Sequence, residues 1–277
     1  MKRVALITGA GGGMGLACAR ALHDCYSLLL SDRNEALLAE ASLALQAIQG
    51  EKPRTVVCDV TESASVEDLV RAARSAGPLG ATVHTAGVSP MMAGWRDVID
   101  VDLVGTARLM EGLLPLVDSG SVAVCIASIA AQLAPIDAEL EAVLDQPLSS
   151  DFFERLIAVS GGEPDSGIAY AWAKRGVVGV CERLATAWGA RGARIVSLSP
   201  GLIDTSMGRL ELTGSPAMEI FLERTPLVRE SAAGQTLPGR AEDIASVVAF
   251  LCSDAASFVS GCDIRVDGGL VGALRHG

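Results

Sequence analysis

Three groups of residues in this 277-residue chain have the types and spacing to do chemistry. The first is Tyr170-x3-Lys174. Four positions apart on a predicted helix, phenol and ammonium share one face. A phenol is a poor base at its ordinary pKa of about 10. A nearby positive charge stabilises the phenolate, which can then act as a general acid and base. Alone, such a pair is usually a solvated helix surface. Here only two Tyr occur, and this one follows the fifth predicted strand. The second group is the loop Thr8-Gly9-Ala10-Gly11-Gly12-Gly13-Met14-Gly15, set between a predicted strand and helix. Residues without Cβ let backbone pass close to a pyrophosphate, and a helix N-terminus offers free N–H groups and partial positive charge. The spacing Gly9-x3-Gly13-x-Gly15 departs from G-x-G-x-x-G, and an ordinary flexible turn is the plainer alternative. The third is Asp32, which ends the second predicted strand 23 residues after Gly9. A carboxylate there can accept from ribose hydroxyls and would repel a 2′-phosphate, which favours NAD over NADP; a turn or capping acid is the plainer alternative. Arg33 pulls the other way, because a guanidinium pairs with phosphate. The glycine loop itself holds no Lys or Arg.

Repeated strand–helix units must position these residues. Strands are expected at Val4–Ile7, Ser27–Ser31, Thr55–Cys58, Ala81–Thr85, Ser121–Ile126, Ala193–Leu198 and Asp263–Val266. Helical stretches lie between them, at about 13–24, 35–49, 63–76, 97–116 and 169–191. Continuous apolar runs such as Val122–Ile126 fit strands covered on both faces. Repeated β-α units imply an α/β fold, a parallel sheet with helices on both sides. No linker or repeat is evident, so one domain over 1–277 is expected. Residues 133–165 interrupt the rhythm. Ile136, Leu140, Val143 and Leu144 have helical spacing, as do Phe152, Phe153, Leu156 and Ile157, with Ser150 a cap for the second run. A helical-hairpin insertion is expected there. A second excursion, about 204–237, follows the sixth strand and is a candidate substrate lid.

Composition narrows the function classes. The formal charge is -11 and the pI about 4.8, which argues against nucleic-acid and anionic-membrane partners. Half the residues are hydrophobic and the mean hydropathy is +0.39, enough for a large core and a subunit interface. Seven Cys, none in CxxC spacing, and three His point to buried free thiols in a reducing compartment, not a metal site or disulfide framework. The glycines at 9–15 break the apolar start, which argues against a signal peptide. A cytoplasmic protein with no membrane span is expected.

Taken together, the chain resembles the short-chain dehydrogenase/reductase family nearly end to end. The resemblance rests on Thr8–Gly15, Asp32, Asp59-Val60, Ala86-Gly87, Ser128, Tyr170-x3-Lys174, Pro200-Gly201 and Asp267-Gly268-Gly269, in that order. It implies a Rossmann-type doubly wound sheet of about seven strands. It also implies an NAD(P)-dependent oxidoreductase acting on CH-OH groups, with NAD favoured. Asp59 and Val60 would flank the adenine, and Ala86 and Gly87 would lie along the cofactor. Pro200, Gly201, Ile203 and Thr205 would meet the nicotinamide carboxamide. Gly9, Gly11, Gly13, Met14 and Gly15 would cradle the phosphates, with Asp32 and Arg33 at the adenosine ribose. Tyr170 would exchange a proton with the substrate oxygen, Ser128 would hold that oxygen, and Lys174 would hold the ribose. Within the family the pattern is similar to bacterial 3α-hydroxysteroid dehydrogenase/carbonyl reductases, which also carry an insertion between Ser and Tyr. Here the two are 42 residues apart. In such relatives the insertion sits at the usual tetramer interface, so a homodimer is expected.

Two positions depart from the family pattern. Asp102 stands where the family has an Asn that supports a proton relay behind Lys174. An ionised Asp accepts hydrogen bonds but donates none. Its charge favours the ammonium and disfavours the phenolate, so a more alkaline pH optimum is expected. Thr85 replaces the Asn often found before Ala-Gly, which bears on local hydrogen bonding. On the substrate side Met91, Trp95, Leu133 and Met207 are candidates, joined by Met92, Trp172, Leu210, Met218, Phe221 and Leu222. Such an apolar wall suits an apolar, cyclic or steroidal alcohol. One alternative is an NAD-binding sensor or scaffold without turnover. Another is a sugar-nucleotide epimerase or dehydratase, which usually has a larger C-terminal domain. An enoyl reductase would space its Tyr and Lys more widely.

Overall fold

Side-chain alternation builds the central sheet. In β1 (Val4–Thr8), Val4 and Leu6 join one buried cluster and Ala5 and Ile7 another. Successive strand side chains point to opposite faces, so a strand covered on both sides must be apolar throughout. The same split recurs in β5, where Ala123 and Cys125 face one cluster and Val122, Val124 and Ile126 the other. The computed structural model describes residues 2–227, 229–231 and 236–277. Met1 of the expected domain, and residue 228 and residues 232–235 of the 204–237 excursion, lie outside the described residues.

The sheet comprises β1, β2 (Ser27–Asp32), β3 (Arg54–Val57), β4 (Leu79–His84), β5 (Val122–Ile126), β6 (Arg194–Pro200) and β7 (Asp263–Val266). Its order is β3-β2-β1-β4-β5-β6-β7, and every neighbouring pair is parallel. Strand order reverses between β1 and β4, so a crevice opens at their carboxyl ends, where open α/β sheets bind ligands. This is the doubly wound seven-stranded sheet that the sequence predicts.

The helices are α1 (Gly13–Leu22), α2 (Glu35–Gln49), α3 (Ser63–Ala76), α4 (Trp95–Ile99), α5 (Gly105–Leu113), α6 (Ala138–Leu144), α7 (Phe152–Ser160), α8 (Ser166–Gly189), α9 (Ser206–Gly214), α10 (Pro216–Glu223), α11 (Ala241–Leu251) and α12 (Leu270–His276). Cys18 of α1, Leu45 of α2 and Val248 of α11 cover one face of the sheet. Leu69 of α3, Leu109 of α5 and Trp188 of α8 cover the other. Polar caps start several of them. Asn34 accepts from Leu37 N at α2, Asp137 from Leu140 N at α6, and Asp165 from Gly167 N and Ile168 N at α8. Each supplies an acceptor for N–H groups that a first turn leaves unpaired.

Three expectations change. The helix predicted over 97–116 is α4, a π turn at Asp100–Val104, α5, and a 3₁₀ turn at Leu114–Leu116. Gly105 N–H reaches back five residues to Asp100 O, and Asp102 lies inside that turn. The insertion holds α6 and α7, but α7 starts after Asp151, not from a cap at Ser150. Of the seven free thiols, Cys25 is exposed and Cys262 half-buried, and the other five are buried. No helix among the described residues is long and apolar enough to cross a membrane.

Candidate active site

The glycine loop closes tightly on itself. Gly9 has φ 65°, and a Cβ there would lie 2.7 Å from both Ala86 N and Thr85 Oγ1. At Gly15 an added Cβ would collide with Gly9 O. Glycine is the residue that tolerates both demands. Gly12 gives α1 no side-chain cap, and the N–H groups of Gly13, Met14 and Gly15 have no acceptor among the described residues. They line a cavity of about 480 Å³, where three N–H donors and the positive helix end can hold phosphate.

The other cofactor-side candidates border the same cavity. Asp32 lines it and braces the loop, accepting from Gly11 N at 3.0 Å through Oδ2 and from Asn34 N at 2.9 Å through Oδ1. Each carboxylate oxygen keeps further lone pairs for a ligand hydroxyl. Gly11, Arg33, Asp59, Val60, Ala86 and Gly87 line it too. Asp59 Oδ1 accepts from Thr61 N and Oγ1. Thr85, the replacement for Asn, donates from Oγ1 to Thr8 O at 2.8 Å, so its hydroxyl is satisfied. A chain of phosphate donors at one end and a carboxylate at the other fits a dinucleotide.

A second cavity, of about 500 Å³, adjoins the first, and Met14, Thr205 and Met207 line both. Ser128, two residues beyond β5 and capping a 3₁₀ turn at Ile129–Gln132, and Tyr170, on α8, line it together. Ser128 Oγ accepts from Ala130 N at 3.2 Å. Lys174 stands one turn along α8, its Nζ 5.5 Å from the Tyr170 ring centroid. The ammonium lies 3.1 Å from Asp102 Oδ2 and donates to Ile126 O at 3.3 Å. Asp102 is fully buried and Lys174 is 6 % exposed, so the pair sits at low dielectric, where charge interactions are strong. Asp102 Oδ1 accepts from Val88 N at 2.8 Å.

Behind Asp102 runs a chain that the sequence alone does not announce. Thr106 Oγ1 donates to Asp102 O at 2.6 Å and contacts His84 Nε2 at 2.9 Å; His84 Nδ1 contacts Thr8 Oγ1 at 2.7 Å. Thr106 has one hydroxyl proton, already used, so His84 Nε2 must donate, and in a neutral imidazole Nδ1 then accepts from Thr8. The imidazole is therefore assigned as the neutral Nε2–H tautomer. Burial, and then the Lys174 charge, push His84 down to about 3.

At Tyr170 the effect of Asp102 is the one expected and that of Lys174 is not. Burial pushes its phenol well above the ordinary value, and the charges of Glu211 and then Asp102 push it further. The Ser128 hydroxyl acts the other way by hydrogen bonding. Lys174 was expected to favour the phenolate, but its charge is paired with Asp102. Burial also raises the Asp102 carboxyl, with Lys174 and Val88 N–H opposing. Glu211 is likewise raised by burial, with Lys174 opposing.

Among the substrate-side candidates Met91, Leu133, Met207, Met218 and Phe221 line the second cavity. Met92 and Leu210 line the first instead. Trp95 lines neither: at the start of α4 it meets Phe153 of α7 edge-on at 6.2 Å and donates to Glu163 at 3.3 Å. It ties the insertion to the body. Trp172 packs on the core, and Leu222 lines neither cavity. Pro200, Gly201 and Ile203 line the second cavity and not the first, while Thr205 borders both and caps α9 through Gly208 N. Glu211 was missed. The available signal was its position four residues after Met207 in the expected lid, which puts both on one face if that stretch is helical.

Residues 3–138 match the family model described as short chain dehydrogenase, and residues 155–271 match one described as Enoyl-(Acyl carrier protein) reductase. The chain is 30% identical to the short-chain dehydrogenase/reductase bsc3 of Alternaria brassicicola, covering 100% of this chain and 98% of the relative. It is 29% identical to a 3-alpha-hydroxysteroid dehydrogenase/carbonyl reductase of Comamonas testosteroni, covering 98% of each. The crystal structure of levodione reductase superposes with a TM-score of 0.76 at 27% identity, covering 98% of both chains.

Proposed function

The chain belongs to the short-chain dehydrogenase/reductase family and is an oxidoreductase acting on alcohols or ketones, and from that premise we propose that it interconverts an apolar secondary alcohol and its ketone with NAD, using Tyr170 as general acid and base. The observation that supports this reading is the meeting of two cavities. Ser128 and Tyr170 line one, free N–H groups and Asp32 line the other, and the Lys174–Asp102 pair, which lines neither, adjoins Tyr170 of the one and Val88 of the other. The bound nicotinamide supplies the hydride acceptor or donor. In alcohol oxidation the Tyr170 phenolate takes the carbinol proton, and in ketone reduction the phenol returns it to the alkoxide. Ser128 Oγ donates to the substrate oxygen and keeps it beside Tyr170. Lys174 holds a ribose hydroxyl, and Asp102 fixes the ammonium for that task.

Asp32 supports NAD over NADP, because a second negative charge beside a 2′-phosphate is unfavourable. The second-cavity lining of Met91, Leu133, Met207 and Phe221 supports an apolar substrate body such as a cyclic or steroidal one. The three residues between Tyr170 and Lys174 support a ketone or alcohol over an enoyl substrate, since an enoyl reductase would space the pair more widely. A homodimer and a cytoplasmic location complete the reading.

The test is a panel of secondary alcohols and ketones with NAD and NADP, following absorbance of the reduced cofactor. Tyr170→Phe should lose roughly 10²–10⁴-fold in kcat while still binding cofactor. Tight NAD binding with no turnover across the panel would favour a sensor or scaffold and sink the enzyme reading. Preference for NADP would overturn the role of Asp32.

A further inference from the structure

The second cavity carries a charge that its apolar walls do not explain. Glu211, on α9, is one of the residues lining it. Its carboxylate has no hydrogen-bond or ion-pair partner among the described residues, and it is half-buried beside Met207 and Met218. It lines the cavity together with Ser128 and Tyr170, and its charge disfavours the Tyr170 phenolate. The one other carboxylate in the lining is Asp165, whose Oδ1 is occupied by Gly167 N and Ile168 N as the cap of α8. No Lys, Arg or His lines this cavity among the described residues. A partly desolvated carboxylate without a partner loses hydration and gains nothing from the protein. Such a group is stabilised when a ligand brings a donor to it.

Resting on the oxidoreductase reading above, we infer that Glu211 is a specificity-determining residue that selects alcohols whose apolar body carries a second hydrogen-bond donor, a hydroxyl or an ammonium, and rejects those carrying a carboxylate. The carbinol oxygen meets Ser128 and Tyr170 while the second donor meets Glu211. A hydrogen bond to a charged acceptor is stronger than one between neutral groups. A substrate carboxylate in the same place faces like charge in a cavity lined by no compensating cation.

Four matched cyclohexanols test this, each substituted at carbon 4 with hydroxyl, ammonium, methyl or carboxylate. Wild type should prefer the hydroxyl and ammonium compounds over the methyl one by about tenfold or more in kcat/KM, with the carboxylate lowest. Glu211→Gln should keep the hydroxyl preference and lose the ammonium preference, which separates the two donors. Glu211→Leu should invert the order in favour of methyl and raise the carboxylate relative to it. These ratios would not move if Glu211 only supported the fold. Unchanged ratios in active variants overturn the inference while leaving the oxidoreductase reading intact. If wild type turns over none of the four, or no alcohol at all, calorimetric binding of the same compounds to wild type and Glu211→Leu decides. Equal affinities across the donor and methyl compounds in wild type overturn the inference, and a donor preference abolished by Glu211→Leu supports it.

Discussion

Tyr170 has two negative neighbours and one paired cation, and this sets its pH behaviour. Burial, Glu211 and Asp102 all favour the neutral phenol. Alcohol oxidation needs the phenolate, so the rate should climb with pH through the phenol's titration. Removing a nearby negative charge stabilises the phenolate and moves that climb to lower pH. Asp102→Asn and Glu211→Gln are therefore each expected to shift the ascending limb of kcat/KM against pH towards acid. An unmoved limb in both would show that neither charge reaches the phenol. The two variants also differ informatively. Asp102→Asn disturbs the contact with Lys174 at 3.1 Å, so it should also weaken cofactor binding, whereas Glu211→Gln should not. The Asp102 departure was readable from the chain, because its place in the order of motifs was fixed on both sides. Its fully buried pairing and the chain through Thr106 to His84 were not. They depend on residues 8, 84, 102, 106 and 174 meeting in space, and no local pattern records that.

At the scale of elements, close approach decides which glycines matter. Gly15 lies in α1, where Ala would gain up to about 1 kcal/mol in helix propensity. Its Cβ would collide with Gly9 O, and overpacking of that kind costs roughly 1–3 kcal/mol. The collision wins, so Gly15→Ala should lower the urea midpoint and weaken cofactor binding. Gly272, in α12, has nothing within 4 Å of an added Cβ. Gly272→Ala should therefore raise stability by about 0.5–1 kcal/mol. If both variants shift the midpoint in one direction, packing around the loop is not what requires glycine at 15. The inner strands were legible because buried parallel strands have continuous apolar runs, the less buried edge strands β3 and β7 by their β-branched residues, and each begins and ends within about two residues of its predicted bounds. The π turn at Asp100–Val104 was not legible. It adds one residue per turn without changing the apolar periodicity enough to show. Trp95 was misassigned for a related reason: its type suits a pocket, but the start of α4 directs it at Phe153 of α7.

At the scale of the whole molecule, α6 is clamped onto α8 by ion pairs between Glu141 and Arg175 and between Asp145 and Arg183. If this insertion covers the surface that would otherwise build a tetramer, light scattering should report the mass of a dimer; a tetramer would remove that role from the insertion. The folded chain as a unit also carries a titration that the site imposes on it. His84 is fully buried, neutral and hydrogen-bonded at both nitrogens, and it is pushed down from 6.5 to about 3. In the unfolded chain it takes up a proton as the pH falls below about 6.5, and in the folded chain it does not until about 3. The unfolded state therefore binds more protons in that window, and stability falls as the pH drops through it. Above about 6.5 the contribution is flat. Asp100, Asp102 and Glu211, raised by burial, have the opposite slope in the acid range, so the wild-type curve alone is a sum. The comparison that isolates His84 is urea unfolding from pH 8 to pH 4 for wild type and His84→Gln, since a glutamine can still donate and accept but does not titrate. Wild type should lose stability relative to the variant by an amount on the order of a few kcal/mol across the window. A constant difference between the two curves would mean that His84 takes up its proton in the fold as readily as in the unfolded chain, and the assignment of Nδ1 as acceptor from Thr8 would fall with it.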